Sequence, residues 1–312
     1  MLESKPYKAL NLSTGKMLIA AAWVDGALQE EEVACLKSLI LKMPDITFED
    51  WRKLKIYMAY PLNVSEQESV VLELTNKIYV EDHKNMVFKN LFQVLQSDGN
   101  LNILEKGFVD DLNEALKQNS SSFLRKIKFY FLNNQIERQD AWKKSKFGRE
   151  KLLHEFFSNP VYFLFRKTLI NFDLYIPYSK PQLQKVCLYA SILSWFASED
   201  GKITLDEENF ILEKLINTCG IELKIANCIF SVAKDLDISE IELKELCITL
   251  VDQTESAERE KLFNMLANLV LLDRTLSVKE CKCLRKVAVF LNIRKSIWEK
   301  IMSHVHLITT FS

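Results

Sequence analysis

Carboxylates recur in this chain at one fixed spacing. Four times an Asp is followed three residues later by an aliphatic residue and seven residues later by a Glu: Asp25 to Glu32 (DGALQEEE), Asp98 to Glu105 (DGNLNILE), Asp200 to Glu207 (DGKITLDE) and Asp273 to Glu280 (DRTLSVKE). Paired carboxylates on a short loop can hold a hard divalent cation, meet a basic partner or move a proton. The same residues also have a purely structural use. Four residues after each Asp stands Gln29, Asn102, Thr204 or Ser277, three before the Glu, which is the spacing of a capping box at a helix start. Gly26, Gly99 and Gly201 suit the left-handed turn that ends a preceding helix, and the aliphatic residue anchors the loop to a core. Asp235, Ile238 and Glu242 repeat the spacing a fifth time without Gly, so one match alone decides nothing.

The intervals carry more weight than the pattern. Asp25 is as far from Asp98 as Asp200 is from Asp273, so the four loops form two pairs of equal span. Ser65 to Glu68 and Ser239 to Glu242 are two further helix starts of the capping type, and their offset falls one residue short of that between Asp25 and Asp200. A unit that already held the motif twice has been duplicated. A calcium loop of the EF-hand kind is excluded, because it needs oxygen ligands four and two residues before the Asp. Here those places hold Ala21 and Trp23, Val94 and Gln96, Phe196 and Ser198, and Leu269 and Leu271.

The elements that must position these loops are helical. With 7 Gly and 6 Pro in 312 residues and 48% hydrophobic residues, the chain favours many helices, short turns and a core in each of two domains. KMLIAAAWV runs apolar into Asp25, and helical spacing resumes at Val33, Leu36, Leu39, Ile40 and Met43 until Pro44. Each motif thus joins two helices. No basic-then-apolar leader opens the sequence and no apolar run approaches the roughly 20 residues of a membrane span, so a cytoplasmic protein is expected. The net charge of -1 excludes a generally basic coat. Seven cysteines without a CxxC pair are read as reduced core residues. His83 and His154 stand alone, while His304 and His306 are expected in an exposed C-terminal tail.

Residues 121–178 have no counterpart in the duplication. NSSS opens this region, Ser158-Asn159-Pro160 interrupts it and IPYSKP closes it, around helical patterns. Between Arg125 and Lys151 nine basic and three acidic residues are interleaved with aromatics, a local +6 against about -7 for the rest of the chain. Arg125, Lys126, Lys128, Lys143, Lys144, Lys146 and Arg149 are the candidate partner-binding residues of this stretch.

AAAWVDGALQEEE and SWFASEDGKITLDEE resemble the first hairpin of the TerB-like (tellurite-resistance) family of bacterial helical domains: an Ala-rich helix, an Asp-Gly loop and a Glu in the next helix. NLVLLDRTLSVKE, followed by VAVFLNI, resembles the second hairpin, and Arg259 stands where such domains often carry an Arg. The resemblance covers roughly residues 14–118 and 181–303, as two tandem copies. It implies a helical module of stress and defence systems, not known as an enzyme, whose loop carboxylates form an acidic metal-binding surface. Carried over, the metal residues are Asp25, Glu32, Asp98 and Glu105 in the first copy and Asp200, Glu207, Asp273 and Glu280 in the second. Arg274 departs from the pattern, with a guanidinium where the other loops have Gly.

The expectation is therefore an all-α chain: a TerB-like helical domain at 1–120, a helical basic and aromatic insertion at 121–178, and a second TerB-like domain at 179–312. Its expected function is non-catalytic binding or adaptor work with a protein partner, the acidic loops facing a cation or a basic partner. No small-molecule substrate is expected. Of cofactors, only a weak Ca2+ or Mg2+ site is expected, in the first domain, where Gly follows both Asps and Glu30 and Glu31 add charge. An alternative gives the basic insertion the main role, docking to an anionic membrane surface or nucleic acid with the repeats as scaffold.

Overall fold

Helical periodicity in the sequence becomes helix in the structure, a computed structural model. It describes residues 4–23, 28–59, 62, 66, 69–70, 72–73, 81–97, 99, 106–107, 110, 156, 159–172, 176–199, 201–273, 275–308 and 310–311. The chain divides into two compact units, residues 1–155 and 156–312. No helix among the described residues is long and apolar enough to cross a membrane.

In the first unit α1 (Ser4–Ala22) packs against α2 (Glu30–Lys42), α3 (Phe48–Ala59) and α4 (Glu81–Leu95), and α2 packs against α4. Met17 through Trp23 are buried without a break, so the end of α1 is apolar all round, the pattern of a helix surrounded by others. Its approach to α3 is close. A Cβ on Gly15 would stand 2.8 Å from a Leu54 methyl. The Trp23 indole N–H donates to the Tyr57 carbonyl at 3.0 Å, tying the two helix ends together. Thr47 and Asp50 exchange hydrogen bonds at the start of α3, Asp50 accepting from the Thr47 N–H at 3.1 Å and its hydroxyl at 2.7 Å.

The second unit is built around α6 (Lys180–Ser198), buried continuously from Val186 to Ala197. It packs against α5 (Pro160–Phe172), α7 (Leu205–Cys219), α8 (Leu223–Lys234), α9 (Glu240–Gln253) and α10 (Ser256–Asp273). Burying a Leu, Ile or Phe on such a helix stabilises by about 1.5–3 kcal/mol, as an upper figure. Next comes β1 (Thr275–Leu276), then α11 (Val278–Phe290), α12 (Lys295–Ile308) and β2 (Thr310–Phe311). The two strands pair in parallel, Thr275 opposite Thr310 and Leu276 opposite Phe311. Accordingly α10 and α12, which lead into them, run side by side in one direction. Glu260 meets Arg294 at 2.8 Å and the rings of Phe263 and Trp298 lie 5.6 Å apart along this pair.

Helix starts in the two units recur at one offset. Glu30 and Leu205, Phe48 and Leu223, and Glu81 and Ser256 are each separated by the same stretch of chain as Asp25 and Asp200. So are the helix ends Ala59 and Lys234, and the left-handed residues Asp45 (φ 56°) and Gly220 (φ 68°). Packing follows the same correspondence. The pairings of α1 with α2, α3 and α4, and of α2 with α4, recur as α6 with α7, α8 and α10, and α7 with α10.

Three local expectations are corrected. Ser158-Asn159-Pro160 is not only a breaker but the start of α5: the Asn159 side chain accepts from the Tyr162 N–H at 3.0 Å and donates to the Gln184 carbonyl at 3.0 Å. With Val161, Tyr162, Phe163 and Phe165 buried, α5 packs on α6 and α8 as part of the second unit. His304 and His306 are exposed, as expected, but belong to α12 rather than to a tail, because Ile301, Met302 and Val305 bury the other face of that helix. The strand pair, absent from the helical expectation, is two residues on each side and leaves the fold all-α.

Candidate functional site

Glu32, Glu207 and Glu280 all cap helices. Each accepts the N–H of the residue three before it: Gln29 to Glu32 at 2.7 Å, Thr204 to Glu207 at 2.8 Å and Ser277 to Glu280 at 2.7 Å. Thr204 and Ser277 return the bond, their hydroxyls accepting the Glu207 and Glu280 N–H groups at 3.3 and 3.1 Å. Glu242, in the fifth match, does the same with Ser239 at 2.8 Å. These carboxylates therefore close orphan amides at four helix starts, and a cation would have to share them. Gly99 (φ 79°) and Gly201 (φ 147°) adopt backbone conformations that a side chain would strain, as the loop pattern required.

Asp25, Asp98, Glu105, Asp200 and Arg274 lie outside the described residues, as do Arg125, Lys126, Lys128, Lys143, Lys144, Lys146 and Arg149. Asp273 is the last residue of α10. The flanking helices still show how the loops are grouped. In the first unit the Cys35 thiol, near the start of α2, donates to the Gln93 carbonyl near the end of α4 at 3.5 Å. The chain leading from the Asp25 loop thus meets the chain leading into the Asp98 loop. In the second unit Lys279, on the first turn of α11, donates to the carbonyl of Glu199, which closes α6. In each unit the described residues that flank the two loops are thus in contact.

Around Glu199 the second unit has a charged cluster. Its carboxylate lies 3.5 Å from the Lys279 ammonium and accepts from the Cys283 thiol at 3.6 Å, while Lys286 pairs with Glu240 at 2.7 Å. Burial, then the Glu199 charge, pushes the Cys283 thiol up to about 11. Burial likewise raises Cys219 to about 11, Cys247 to about 12 and Cys187 well above the ordinary thiol value. At neutral pH these sulfurs are protonated and are poor nucleophiles and metal ligands. Among the described residues no group of three or more His, Cys, Asp or Glu side chains is placed to hold a metal ion.

Arg259 has a structural task. Its guanidinium donates to the Thr254 carbonyl at 2.7 Å and the Val251 carbonyl at 3.4 Å, satisfying the last turn of α9. Residues 188–303 match the family model of tellurite resistance protein TerB. The TerB match runs from the middle of α6 into α12 and holds both loops of the second unit, Arg259 and the Glu199 cluster. It covers one copy, the second of the two expected. No curated protein and no solved structure matches the chain.

One feature has no signal in the sequence. A groove of about 400 Å³ runs between α10 and α12, lined by Asn264, Asn268, Leu271, Lys300, Ile301 and His304. Its walls come from two helices that α11 separates in the chain, so no local spacing marks it.

Proposed function

We propose that the chain is a non-catalytic binding protein of a bacterial stress or defence system, working in the cytoplasm. Two TerB-like helical copies each present a pair of acidic loops, Asp-Gly in three of the four and Asp273-Arg274 in the last, to a basic protein partner or, in the first copy, to a weakly held Ca2+ or Mg2+. The observation that carries this reading is the TerB match over residues 188–303, extended to the first unit by helix starts that recur there at one constant offset and in the same packing order. The cap bonds of Glu207 and Glu280 argue against acid-base chemistry by these two side chains, since both carboxylates are already committed to backbone amides.

Melting of the full chain with millimolar Ca2+ or Mg2+ tests the cation. The wild type should gain a few degrees, and Asp25→Asn with Asp98→Asn should gain none, because an amide can still accept hydrogen bonds but carries no charge. No gain in the wild type removes the cation and leaves the basic partner. That arm requires a polylysine peptide to bind at low salt, release at high salt and bind more weakly to the same double variant.

A further inference from the structure

The groove between α10 and α12 is lined by residues of the second unit that the acidic loops do not use. The Glu260–Arg294 ion pair and the Phe263–Trp298 ring contact set the register of the two helices beside it. Ala267, Ile301 and Val305 are buried, none more than 9% exposed, whereas Asn264, Asn268, Lys300 and His304 are exposed. The groove therefore has an apolar bottom and polar edges: two amides one turn apart on α10, an ammonium and an imidazole one turn apart on α12. Its charges are unbalanced. Glu260, the carboxylate of the lining, is already matched by Arg294 at 2.8 Å. Among the described residues Asn268, Lys300 and His304 have no ion-pair or hydrogen-bond partner, and Asn264 uses only an amide N–H, donated to the Glu260 carbonyl at 3.0 Å.

We infer that this groove binds a small organic anion, its phosphate or carboxylate held by Lys300 and His304 on α12 and by the amide of Asn268 on α10. All three side chains can donate hydrogen bonds, and bonds from a charged donor to an anionic oxygen are the stronger kind. A volume of about 400 Å³ lies in the range of ligand sites and exceeds what an inorganic phosphate fills, so the occupant has an organic body. A partner helix is disfavoured, because it needs exposed apolar area. Of the apolar lining only Leu271 and Ile297 are half-exposed. The inference is independent of the acidic loops and of any cation held there.

The test uses the full chain with isotope-labelled isoleucine methyl groups, so that Ile297 and Ile301 report from the groove by nuclear magnetic resonance. Millimolar glycerol phosphate or citrate should shift both resonances saturably, and glycerol should not. Lys300→Met and His304→Ala should each weaken binding about tenfold. Lys295→Met, which removes an exposed lysine paired with Glu299 on the same helix, should leave it unchanged. Lys300 and His304 are exposed, so both variants should fold, as circular dichroism checks. No saturable shift with either anion overturns the inference, and so does a shift that survives both variants. Inorganic phosphate binding as tightly as glycerol phosphate also overturns it, since the organic body would then contribute nothing. Binding to phosphatidic acid vesicles without a response to the soluble anions would overturn it too, and would assign this face to an anionic membrane.

Discussion

The two units share a frame and differ in what they bury. Among the described residues the first unit buries charge, with Glu32, Lys37 and Asp50 each at most 5% exposed. The buried polar side chains of the second unit are Asn159, Ser191, Ser194 and Thr249, none of them charged. The difference reaches the loops themselves. Glu32 caps α2 from a buried position, whereas its counterpart Glu207 caps α7 from a half-exposed one. In the second unit Lys279 approaches Glu199 and Lys286 approaches Glu240. Equal backbone spacing therefore does not imply equal electrostatics. A helix frame is held by apolar contacts that tolerate substitution of similar volume, while each charged group answers to its own solvent exposure.

The largest expected effect would break the correspondence if it failed. Leu36 and Ile211 are fully buried and occupy equivalent places on α2 and α7. Replacing either by Ala should cost about 2–5 kcal/mol in chemical denaturation, and the two costs should agree within the scatter of that range. A loss well under about 1 kcal/mol at Leu36 alone would mean that the first unit lacks a core of the second unit's kind.

The caps should separate the units. Glu32→Ala removes a buried carboxylate and takes the acceptor from the part-buried Gln29 amide bond, and should cost about 1–3 kcal/mol. Glu207→Ala exposes the Thr204 amide to water and should fall near the low end of about 0.5–2 kcal/mol. Equal costs would show that the burial of Glu32 has no energetic consequence.

The smallest effect is specific to the second unit. A hydrogen bond from Lys185 holds the Glu258 carboxyl below the usual carboxylate value, and the first unit has Leu10 and His83 at those two places. A depressed pKa in the folded state means that the pair's contribution is present above the unfolded value, here 4.5, and is lost as pH falls through the folded one. Lys185→Met should thus cost about 0.2–1 kcal/mol near neutral pH, since both side chains are about a third exposed. In acid titration of stability the gap between variant and wild type should close below pH 4.5. A gap that persists there would assign the effect to lost packing of the lysine stem.

Helices and caps were legible because their causes are local. Gln29, Thr204 and Ser277 stand three residues before a Glu, and that spacing alone aligns donor and acceptor at a helix start. Val33, Leu36 and Ile40 lie on one face for the same reason, and the apolar stretch before Asp25 has no polar face to expose. The equal intervals between the four loops needed no structure, since spacing is a property of the chain order. Tertiary structure decided what depends on partners distant in sequence. It decided that Glu32 is buried and Glu207 is not, that α5 packs within the second unit, and that β1 finds β2 beyond two intervening helices. It also decided that Lys279, on α11, meets Glu199 at the far end of α6. Periodicity tells a side chain which face of its own helix it occupies; only the packing of other helices determines whether that face meets water, a carbonyl or an opposite charge.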